Sequence, residues 1–294
     1  MLIDAHTHLW PSEETTPSMV QYLKKRNIWD ESYSALTAEG ILGKMDEDKV
    51  EISIVAGISL ETETDNNKYK KINNYLAKEI EKSNNRLIGL CVADPLGGKE
   101  SLDLIKEYVE DFGFRGLKLH PSFQEFYPND KKLYPVYELM ETYKLPILFH
   151  TGYIGISPFK NYYSMPEYLD EVACDFPDLP ILLSHAGKPW FDDTAVMLRK
   201  HKNVYVDVSS NMGRYKELSY KPMEDFLYQV KIWVGNFDRV LFGSDYPLYD
   251  QNDTIDALKK AAESLNNQYD GFVEEEDLQK ILYSNSKKLI ESWR

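Results

Sequence analysis

The chain has 294 residues and is 43% hydrophobic, which is enough for a large core, yet it has no run of the ~20 apolar residues that a membrane span needs. Its 34 Lys and Arg residues against 48 Asp and Glu residues give a formal net charge of −14, which repels phosphate backbones and argues against a nucleic-acid partner. Asp4 and His6 interrupt any apolar run at the N-terminus, so no secretory signal is predicted and a cytoplasmic protein is expected.

The first ten residues, MLIDAHTHLW, predict a short buried strand. Alternate side chains of a strand point to the same face, so His6 and His8 should project together, with Asp4 one step below them. On this stretch alone two interpretations are open: a polar strand end with solvated imidazoles, or half of a metal site.

Seven further apolar, β-rich runs follow along the chain. They are Ile52–Ser59, Arg86–Asp94, Phe114–Pro121, Pro146–Gly152, Pro180–Gly187, Val204–Ser210 and Val240–Pro247. Charged segments with helical spacing of apolar residues lie between them, such as 72–80, 102–112 and 136–143. Eight strands alternating with helices predict an α/β fold, a single-domain (β/α)8 TIM barrel over residues 1–294. No Gly-rich phosphate-binding loop follows any of these runs, so no nucleotide cofactor is expected.

Two segments are longer than ordinary strand-to-helix connections. They are residues 11–36, which include Tyr22, Trp29 and Tyr33, and residues 153–163. In a barrel, loops of this kind lie at the C-terminal face, where they either cover the site and contact substrate or are solvent-exposed decoration. The C-terminal sequence EEEDLQKILYSNSKKLIESWR contains no Gly or Pro and predicts a closing helix.

The two cysteines, Cys91 and Cys174, are too few for a disulfide framework and lack a CxxC spacing. Cys91 lies in the apolar run LIGLCVAD, and we predict a small core residue there rather than a nucleophile.

Five of the six histidines fall at or near the C-terminal end of a predicted strand, where barrels collect catalytic residues: His6, His8, His120, His150 and His185, with His201 elsewhere. Asp245, in GSDYP, holds the same position on the last strand, which neighbours the first when the barrel closes. His6, His8 and Asp245 should therefore come together, faced by His150 from the fifth strand. Neutral imidazoles with one carboxylate suit Zn²⁺, or another divalent metal such as Mn²⁺, and we expect one ion per chain.

The motifs DAHTHLW, GLKLHP, LFHTG, LSHAGKPW, FGSDYP and ILYSNSKKLI occur in this order over nearly the whole chain. This ordered set resembles the amidohydrolase superfamily, in the branch that contains aminocarboxymuconate-semialdehyde decarboxylase, γ-resorcylate decarboxylase and hydrolases of unassigned substrate. The resemblance implies a metal-dependent TIM barrel whose candidate metal ligands are His6, His8, His150 and Asp245.

The resemblance also implies roles for two further residues. His185 matches the histidine that acts on substrate or water in decarboxylase-like members and binds a second metal in binuclear hydrolases. Lys118 can be carbamylated and bridge two metals in binuclear relatives, whereas other members carry an unmodified lysine on the same strand. For this chain the sequence leaves both alternatives open.

The leading hypothesis is a metal-dependent hydrolase of a small, carboxylate-bearing molecule. His185, Asp245 and Lys118 are the expected catalytic residues, and His120, Lys188, Trp190 and Arg214 are the expected substrate-binding residues. One alternative is a decarboxylase of the same fold, in which His185 protonates the carbon that loses carbon dioxide. Another is a catalytically silent metal-containing binding protein. A small-molecule substrate is the expected partner, and a homodimer is left open.

Overall fold

The structure is a computed structural model that describes residues 1–12, 20–21, 24, 36–58, 65–155 and 157–293. Eight parallel strands form one sheet in chain order. They are β1 Leu2–His8, β2 Val50–Ala56, β3 Leu87–Val92, β4 Leu117–Leu119, β5 Ile147–Phe149, β6 Ile181–Leu183, β7 Val204–Asp207 and β8 Val240–Leu241.

The sheet closes between its first and last strands. The amide of Ala5 donates to the carbonyl of Phe242 at 2.8 Å, and the amide of His8 donates to the carbonyl of Tyr246 at 2.9 Å. Thr7 and Tyr246 form a parallel bridge between these bonds. The predicted (β/α)8 barrel is therefore confirmed, and its closure joins β1 to the segment that follows β8.

Helices alternate with the strands. In the described part of the chain they are α1 Ala38–Asp48, α2 Asn66–Glu81, α3 Lys99–Glu110, α4 Pro121–Gln124, α5 Tyr134–Tyr143, α6 Tyr168–Asp175, α7 Phe191–Lys200, α8 Lys221–Val234, α9 Gln251–Gln268, α10 Glu275–Gln279 and α11 Asn285–Ser292. The predicted helical segments 72–80, 102–112 and 136–143 lie largely within α2, α3 and α5. No helix among these residues is long and apolar enough to span a membrane.

The apolar faces of the helices are buried against the sheet. Ile72 and Leu76 of α2, and Leu104 and Ile105 of α3, belong to one core cluster that also contains the strand residues. Ile72 and Leu76 are four residues apart and Leu104 and Ile105 are adjacent, separations that place side chains on one face of a helix. The apolar residues that repeat with the helical period in the sequence are therefore the ones that are buried.

Several strands are shorter than the predicted runs. β8 ends at Leu241, although the apolar run continues to Pro247, and Ser59 at the end of the second run lies outside the described residues. Asp245 has φ 68° and His185 has φ 60°, and a β-ladder does not accommodate such left-handed backbone. The apolar runs therefore cover both a strand and the turn after it, where side chains are aimed into the barrel mouth.

The loop at residues 153–163 is held against its neighbours at this end of the barrel. The amide of Tyr153 donates to the carbonyl of Lys188 at 2.6 Å, and Ser122 donates to the carbonyl of Lys160 at 2.8 Å. Gly152 has φ 92°, and a Cβ there would lie 2.6 Å from the Lys188 carbonyl oxygen, so only glycine fits this approach. Most of the other predicted loop, residues 11–36, including Tyr22, Trp29 and Tyr33, lies outside the described residues.

The C-terminal segment is helical, as predicted, from Glu275 to Ser292. A π-helical turn at Lys280–Ser284 separates α10 from α11. The carbonyl of Ile281 in this turn accepts a hydrogen bond from the amide of Phe242 at 2.8 Å, which attaches the closing helix to the last strand.

Candidate metal centre and active site

Three of the four predicted ligands meet where the barrel closes. His6 and His8 lie on β1 with their ring centroids 5.1 Å apart, and both are almost fully buried. Asp245 is brought beside them because its amide donates to the carbonyl of His6 at 2.8 Å. One nitrogen of each histidine and one oxygen of Asp245 all lie within 4.8 Å of one another. This arrangement agrees with the expectation that the first and last strands bring these three residues together.

The hydrogen bonds of His8 define which of its nitrogens is free to bind. Nδ1 lies 3.1 Å from the carbonyl oxygen of Ala56, which only accepts, so Nδ1 carries the proton. Nε2 lies 3.1 Å from Asp245 Oδ1. His6 Nε2 lies 3.9 Å from the same oxygen. One carboxylate oxygen with two imidazole nitrogens around it is a donor set that a divalent cation can bind.

His6 is held from the other side by Asp207 of β7. Asp207 Oδ2 lies 3.0 Å from His6 Nδ1, and Ser209 Oγ lies 3.2 Å from the same nitrogen. Gly243 makes this contact possible, because a Cβ there would lie 3.0 Å from the Cβ of His6 and 3.2 Å from that of Asp207. Burial raises the pKa of Asp207, but the interaction with His6, together with donors from Ser209 and His185, outweighs it and lowers the pKa overall.

His150, directly after β5, is the fourth predicted ligand. It is in neither of the metal-compatible sets that contain His6, because its Nδ1 lies 3.1 Å from His185 Nε2. Its other nitrogen, Nε2, is buried and has no hydrogen-bond partner among the described residues. A buried, unpartnered ring nitrogen costs free energy unless a ligand satisfies it.

Four histidine rings at this end of the barrel have pKa values that favour the neutral form. Burial lowers the pKa of His6, and the charge of Lys118 lowers it further. Burial also places the pKa values of His120, His150 and His185 well below the usual range, with the neighbouring histidines and Lys118 adding to the effect. Neutral imidazole is the form that binds metal ions.

Lys118 of β4 lies in the same cluster. Its Nζ is 3.3 Å from His6 Nε2 and donates to Ser184 Oγ at 3.2 Å. Burial lowers the pKa of this ammonium to about 8, against the opposing charges of Asp207 and Asp245. A substantial fraction of Lys118 is therefore uncharged at mildly alkaline pH, which suits either proton transfer or carbamylation.

His185 follows β6 in a left-handed turn. Its Nδ1 lies 2.7 Å from Ser209 Oγ, and its ring stacks on that of His6 with centroids 5.0 Å apart. His185, His6 and Asp207 form the second set whose ligand atoms lie within 4.8 Å. Because the Asp207 oxygens already accept hydrogen bonds from both histidines and from Ser209, we interpret this set as a hydrogen-bond network rather than a second metal site.

His120 has a structural contact as well as a place at the site. Its Nδ1 accepts the amide of Phe123 at 3.2 Å and so caps the short helix α4. Its ring stacks between Phe123, at 3.7 Å between centroids, and His150, at 3.9 Å. His120 therefore forms a wall of the site next to the fourth predicted ligand.

The other predicted substrate-binding residues are more dispersed. Lys188 is half-buried in the turn after β6, where its Nζ donates to the carbonyl of Ser210. Trp190 is half-buried at the start of α7. Arg214 is exposed in the loop before α8, and no hydrogen bond or ion pair among the described residues joins it to the cluster. Substrate contact by these residues stays a prediction.

Asp207 and Ser209 are site residues that sequence reasoning missed. They occur two positions apart in VYVDVSS, the separation that places side chains on one face of a strand. This signal was available from the sequence, but their contact with His6 crosses from β7 to β1, which are not neighbouring strands. Asp4, noted below the histidines, accepts hydrogen bonds from Ser244 and Gln251 and so connects β1 to the segment after β8.

The two cysteines lie away from this cluster. Cys91 is buried, and burial raises the pKa of its thiol to about 12, so its predicted role in the core is confirmed. Cys174 is exposed on α6, where it forms a third possible ligand set with Asp170 and His201. In that set Lys200 donates to both oxygens of Asp170 at 2.7 Å, so a lysine already neutralises the carboxylate.

The sequence matches the amidohydrolase family over residues 3–291, and the chain therefore belongs to that family. It is accordingly an enzyme of the amidohydrolase superfamily, as the resemblance of its ordered motifs predicted. A comparison with curated protein sequences finds no match.

Solved structures share the fold over their whole length. 5-Carboxyvanillate decarboxylase from Sphingomonas paucimobilis is 13% identical, with a TM-score of 0.72 and coverage of 99% of this chain and 98% of that one. A dihydroxybenzoic acid decarboxylase from a Polaromonas species, with bound manganese and the inhibitor 2-nitroresorcinol, is 15% identical, with a TM-score of 0.68 and coverage of 100% and 97%. A probable 2-pyrone-4,6-dicarboxylic acid hydrolase from Acinetobacter baumannii, with citric acid bound, is 16% identical, with a TM-score of 0.67 and coverage of 99% of both chains.

Proposed function

We propose that this enzyme hydrolyses a small, carboxylate-bearing molecule with the help of one divalent metal ion, Zn²⁺ in the first place and Mn²⁺ as the alternative. His6, His8, His150 and Asp245 are the proposed ligands. The observation that carries the proposal is the buried contact of His8 with Asp245, in which the ring Nε2 and a carboxylate oxygen lie 3.1 Å apart.

The residues present fit a metal ion. His8 uses Nδ1 on a backbone carbonyl and His6 uses Nδ1 on Asp207, so Nε2 of each ring faces the proposed metal position, where that of His6 lies 3.3 Å from Lys118 Nζ. Metal-binding histidines in proteins characteristically donate their other N–H to a carbonyl or a carboxylate in this way. The buried, unpartnered Nε2 of His150 supplies a further donor atom, and three imidazoles with one carboxylate suit Zn²⁺.

A divalent ion at this position supplies Lewis acidity, which polarises a carbonyl group and makes a water nucleophilic near pH 7. The chain's own residues then manage protons and charge. Asp245 would accept a proton from the attacking water and return it to the leaving group. His185 would orient the water or the developing oxyanion by exchanging the contact of its Nε2 with His150 for one with substrate. Lys118, with its Nζ 3.3 Å from His6, is placed to interact with an anionic group at the same end of the barrel.

The charge around the site supports an anionic substrate. Lys118 is buried and Lys188 is half-buried, although the chain as a whole carries a net charge of −14. Positive charge at this end of the barrel attracts an anionic substrate. The three structures described above are named for carboxylate-bearing compounds.

The neutral state of His185 favours hydrolysis over decarboxylation. A decarboxylase of this kind needs an acid that protonates the carbon losing carbon dioxide, whereas burial and the neighbouring His150 and His6 keep the pKa of His185 well below its usual range. A neutral imidazole is suited to orienting water. Decarboxylation remains the second candidate, supported by the names of two of the three structural neighbours.

The experiment is a product analysis on the full-length protein loaded with one equivalent of Zn²⁺ or Mn²⁺. Lactones, amides and aromatic carboxylates are screened, and acid release is scored against carbon dioxide release. We expect acid release without carbon dioxide, lost in Asp245→Asn and retained in Asp238→Asn, a matched change at an exposed carboxylate paired with Lys280. Carbon dioxide as the product would support the decarboxylase instead, and activity in metal-free protein would contradict both.

A further inference from the structure

We propose that Asp207 is a positioning residue that fixes the protonated nitrogen of two rings: His6 directly, and His150 through Ser209 and His185. Both rings then present an unprotonated Nε2 to the centre of the site. The use of these lone pairs rests on the proposed metal centre, whereas the proton positions themselves are a property of the metal-free protein.

The short arm of this network runs from Asp207 to His6. Oδ2 of Asp207 lies 3.0 Å from His6 Nδ1, and an ionised carboxylate can only accept a hydrogen bond. His6 therefore carries its proton on Nδ1 and a lone pair on Nε2. The opposite assignment would place a nitrogen lone pair against a carboxylate oxygen in a buried site.

The long arm begins at the other oxygen. Oδ1 of Asp207 accepts the backbone amides of His185 and Ser209, each at 3.0 Å, and also the hydroxyl of Ser209. Because the single hydroxyl proton is used on the carboxylate, Ser209 Oγ accepts from His185 Nδ1 at 2.7 Å. The remaining nitrogen of His185, Nε2, is then an acceptor.

This acceptor determines the state of His150. Nδ1 of His150 lies 3.1 Å from His185 Nε2 and must donate to it. The proton of His150 is therefore on Nδ1, and its lone pair is on Nε2, the buried nitrogen without a partner among the described residues. The series of hydrogen bonds therefore starts at the carboxylate of Asp207 and ends at His150, whose Nε2 is left as an acceptor for a ligand.

Two substitutions separate the arms. In Asp207→Asn the side-chain oxygen should occupy the position of Oδ1, because three donors point at that position. The NH₂ group then occupies the position of Oδ2 and donates to His6 Nδ1. His6 then moves its proton to Nε2, while the arm to His150 is unchanged. In Ser209→Ala the arm to His6 remains and the acceptor for His185 is lost.

The test uses full-length metal-free protein with ¹⁵N-labelled histidine, whose ring protonation is assigned from long-range ¹H–¹⁵N spectra. We expect Nδ1–H forms of His6, His185 and His150 in the parent protein. Asp207→Asn should convert His6 to the Nε2–H form and leave His185 and His150 unchanged. Ser209→Ala should leave His6 unchanged, whereas His185 and His150 should each become a mixture of the two protonated forms. An Nε2–H form of His6 or His150 in the parent protein, or unchanged rings in both variants, would overturn the proposal.

A second readout is the affinity for Zn²⁺, measured by competition with a chelator. Loss of a residue that orients metal-binding histidines typically weakens binding by about 10–100-fold, and we expect this for Asp207→Asn and Ser209→Ala. Ser209→Thr, which keeps the hydroxyl, should restore binding, and Ser292→Ala, on exposed α11, should leave it unchanged. Thermal unfolding of each metal-free variant shows whether it folds. If Asp207→Asn does not fold, the comparison of Ser209→Ala with Ser209→Thr tests the proposal.

The two proposals fail in different ways. If the parent protein binds no Zn²⁺ but shows the expected ring protonation, the metal centre is wrong and the network stands. If the parent protein binds Zn²⁺ tightly and both variants bind it equally well, the metal centre stands and the positioning role of Asp207 is wrong.

Discussion

Lys118 combines full burial with a position beside His6, and its protonation state follows from that environment. Burial disfavours the charged form, so the pKa of Lys118 falls from 10.5 to about 8 in the folded protein. Below pH 8 the folded and unfolded chains both hold the proton, and the buried charge lowers the stability of the fold. Between pH 8 and 10.5 only the unfolded chain holds it, so the stability contribution of Lys118 improves as the pH rises.

We therefore expect Lys118 to titrate near pH 8 in metal-free protein, as followed by NMR of ¹³C-labelled lysine. Lys118→Met assigns the signal, and the improvement in unfolding free energy between pH 8 and 10.5, on the order of 3 kcal/mol for a shift of this size, should be absent from that variant. A titration midpoint above pH 10 would show that burial does not control this amine.

His8 is the residue whose loss should remove the metal ion most cleanly. Its Nε2 faces Asp245, and its Nδ1 is bonded only to a backbone carbonyl, so His8→Ala deletes a ligand without breaking the network around Asp207. We expect one equivalent of bound metal per chain in the parent protein and well under half an equivalent in His8→Ala. His201→Ala is the matched control, since His201 lies at the end of α7 and contacts Asp170. Full metal content in His8→Ala would remove His8 from the ligand set.

Closure of the barrel depends on polar contacts as well as on the backbone ladder. Asp4 of β1 accepts from the amide and hydroxyl of Ser244, from Gln251 and from the amide of His6. Burial raises its pKa to about 6 in spite of these donors, so it is ionised at neutral pH. All four donors point at two oxygen atoms, and this is how the first strand is fixed to the segment after the last.

Asp4→Asn should destabilise this closure, because an amide has one oxygen and its NH₂ group must face a donor. A buried donor left without an acceptor costs about 1–3 kcal/mol, and we expect a loss of this size in the free energy of unfolding by urea at pH 7. Asp46→Asn is the control, since Asp46 is an exposed partner of Arg86 and should change stability by less than about 0.5 kcal/mol. Equal effects of the two substitutions would contradict the role of Asp4.

Much of this arrangement follows from sequence patterns. Period-two alternation predicts that His6 and His8 share a face, and barrel topology predicts that Asp245 lies beside them, because both rules concern neighbouring residues or neighbouring strands. The network of Asp207 is different. Its contact with His6 passes Gly243, just after the short strand β8, and it depends on the absence of a side chain there. Neither the order of the strands nor their apolar pattern contains that information.

The orientation of His150 also could not be predicted from the sequence pattern. Its place after β5 was predicted, but its hydrogen bond to His185 depends on left-handed backbone at His185, φ 60°, and at Ala186, φ 54°. Non-glycine residues rarely adopt this conformation, and when they do so the strain is commonly found at functional sites. Neither residue is Gly or Asn, the usual markers of left-handed backbone, so the sequence gives little signal of this turn.

At the scale of the whole molecule, an acidic chain places five histidines and two lysines, Lys118 and Lys188, at one end of a barrel. His185 tests whether that end performs the proposed chemistry. At saturating Zn²⁺, His185→Asn should lose about 10²–10⁴ in turnover while the protein remains folded, since this range covers the usual contribution of a group that stabilises an oxyanion or transfers a proton. Turnover within a few-fold of the parent enzyme, at full metal occupancy, would remove His185 from the chemistry.

The central claim is that one divalent ion binds where the first and last strands close the barrel. Anomalous diffraction from Zn²⁺-loaded crystals, recorded on both sides of the zinc absorption edge, tests it most directly. We predict a single peak per chain, about 2.0–2.2 Å from Nε2 of His6, His8 and His150 and from a carboxylate oxygen of Asp245. A second peak about 3.5–4 Å away, with density extending beyond Lys118 Nζ, would replace the one-metal site by a carbamylated two-metal site. A peak held by other side chains, or no peak, would contradict the claim.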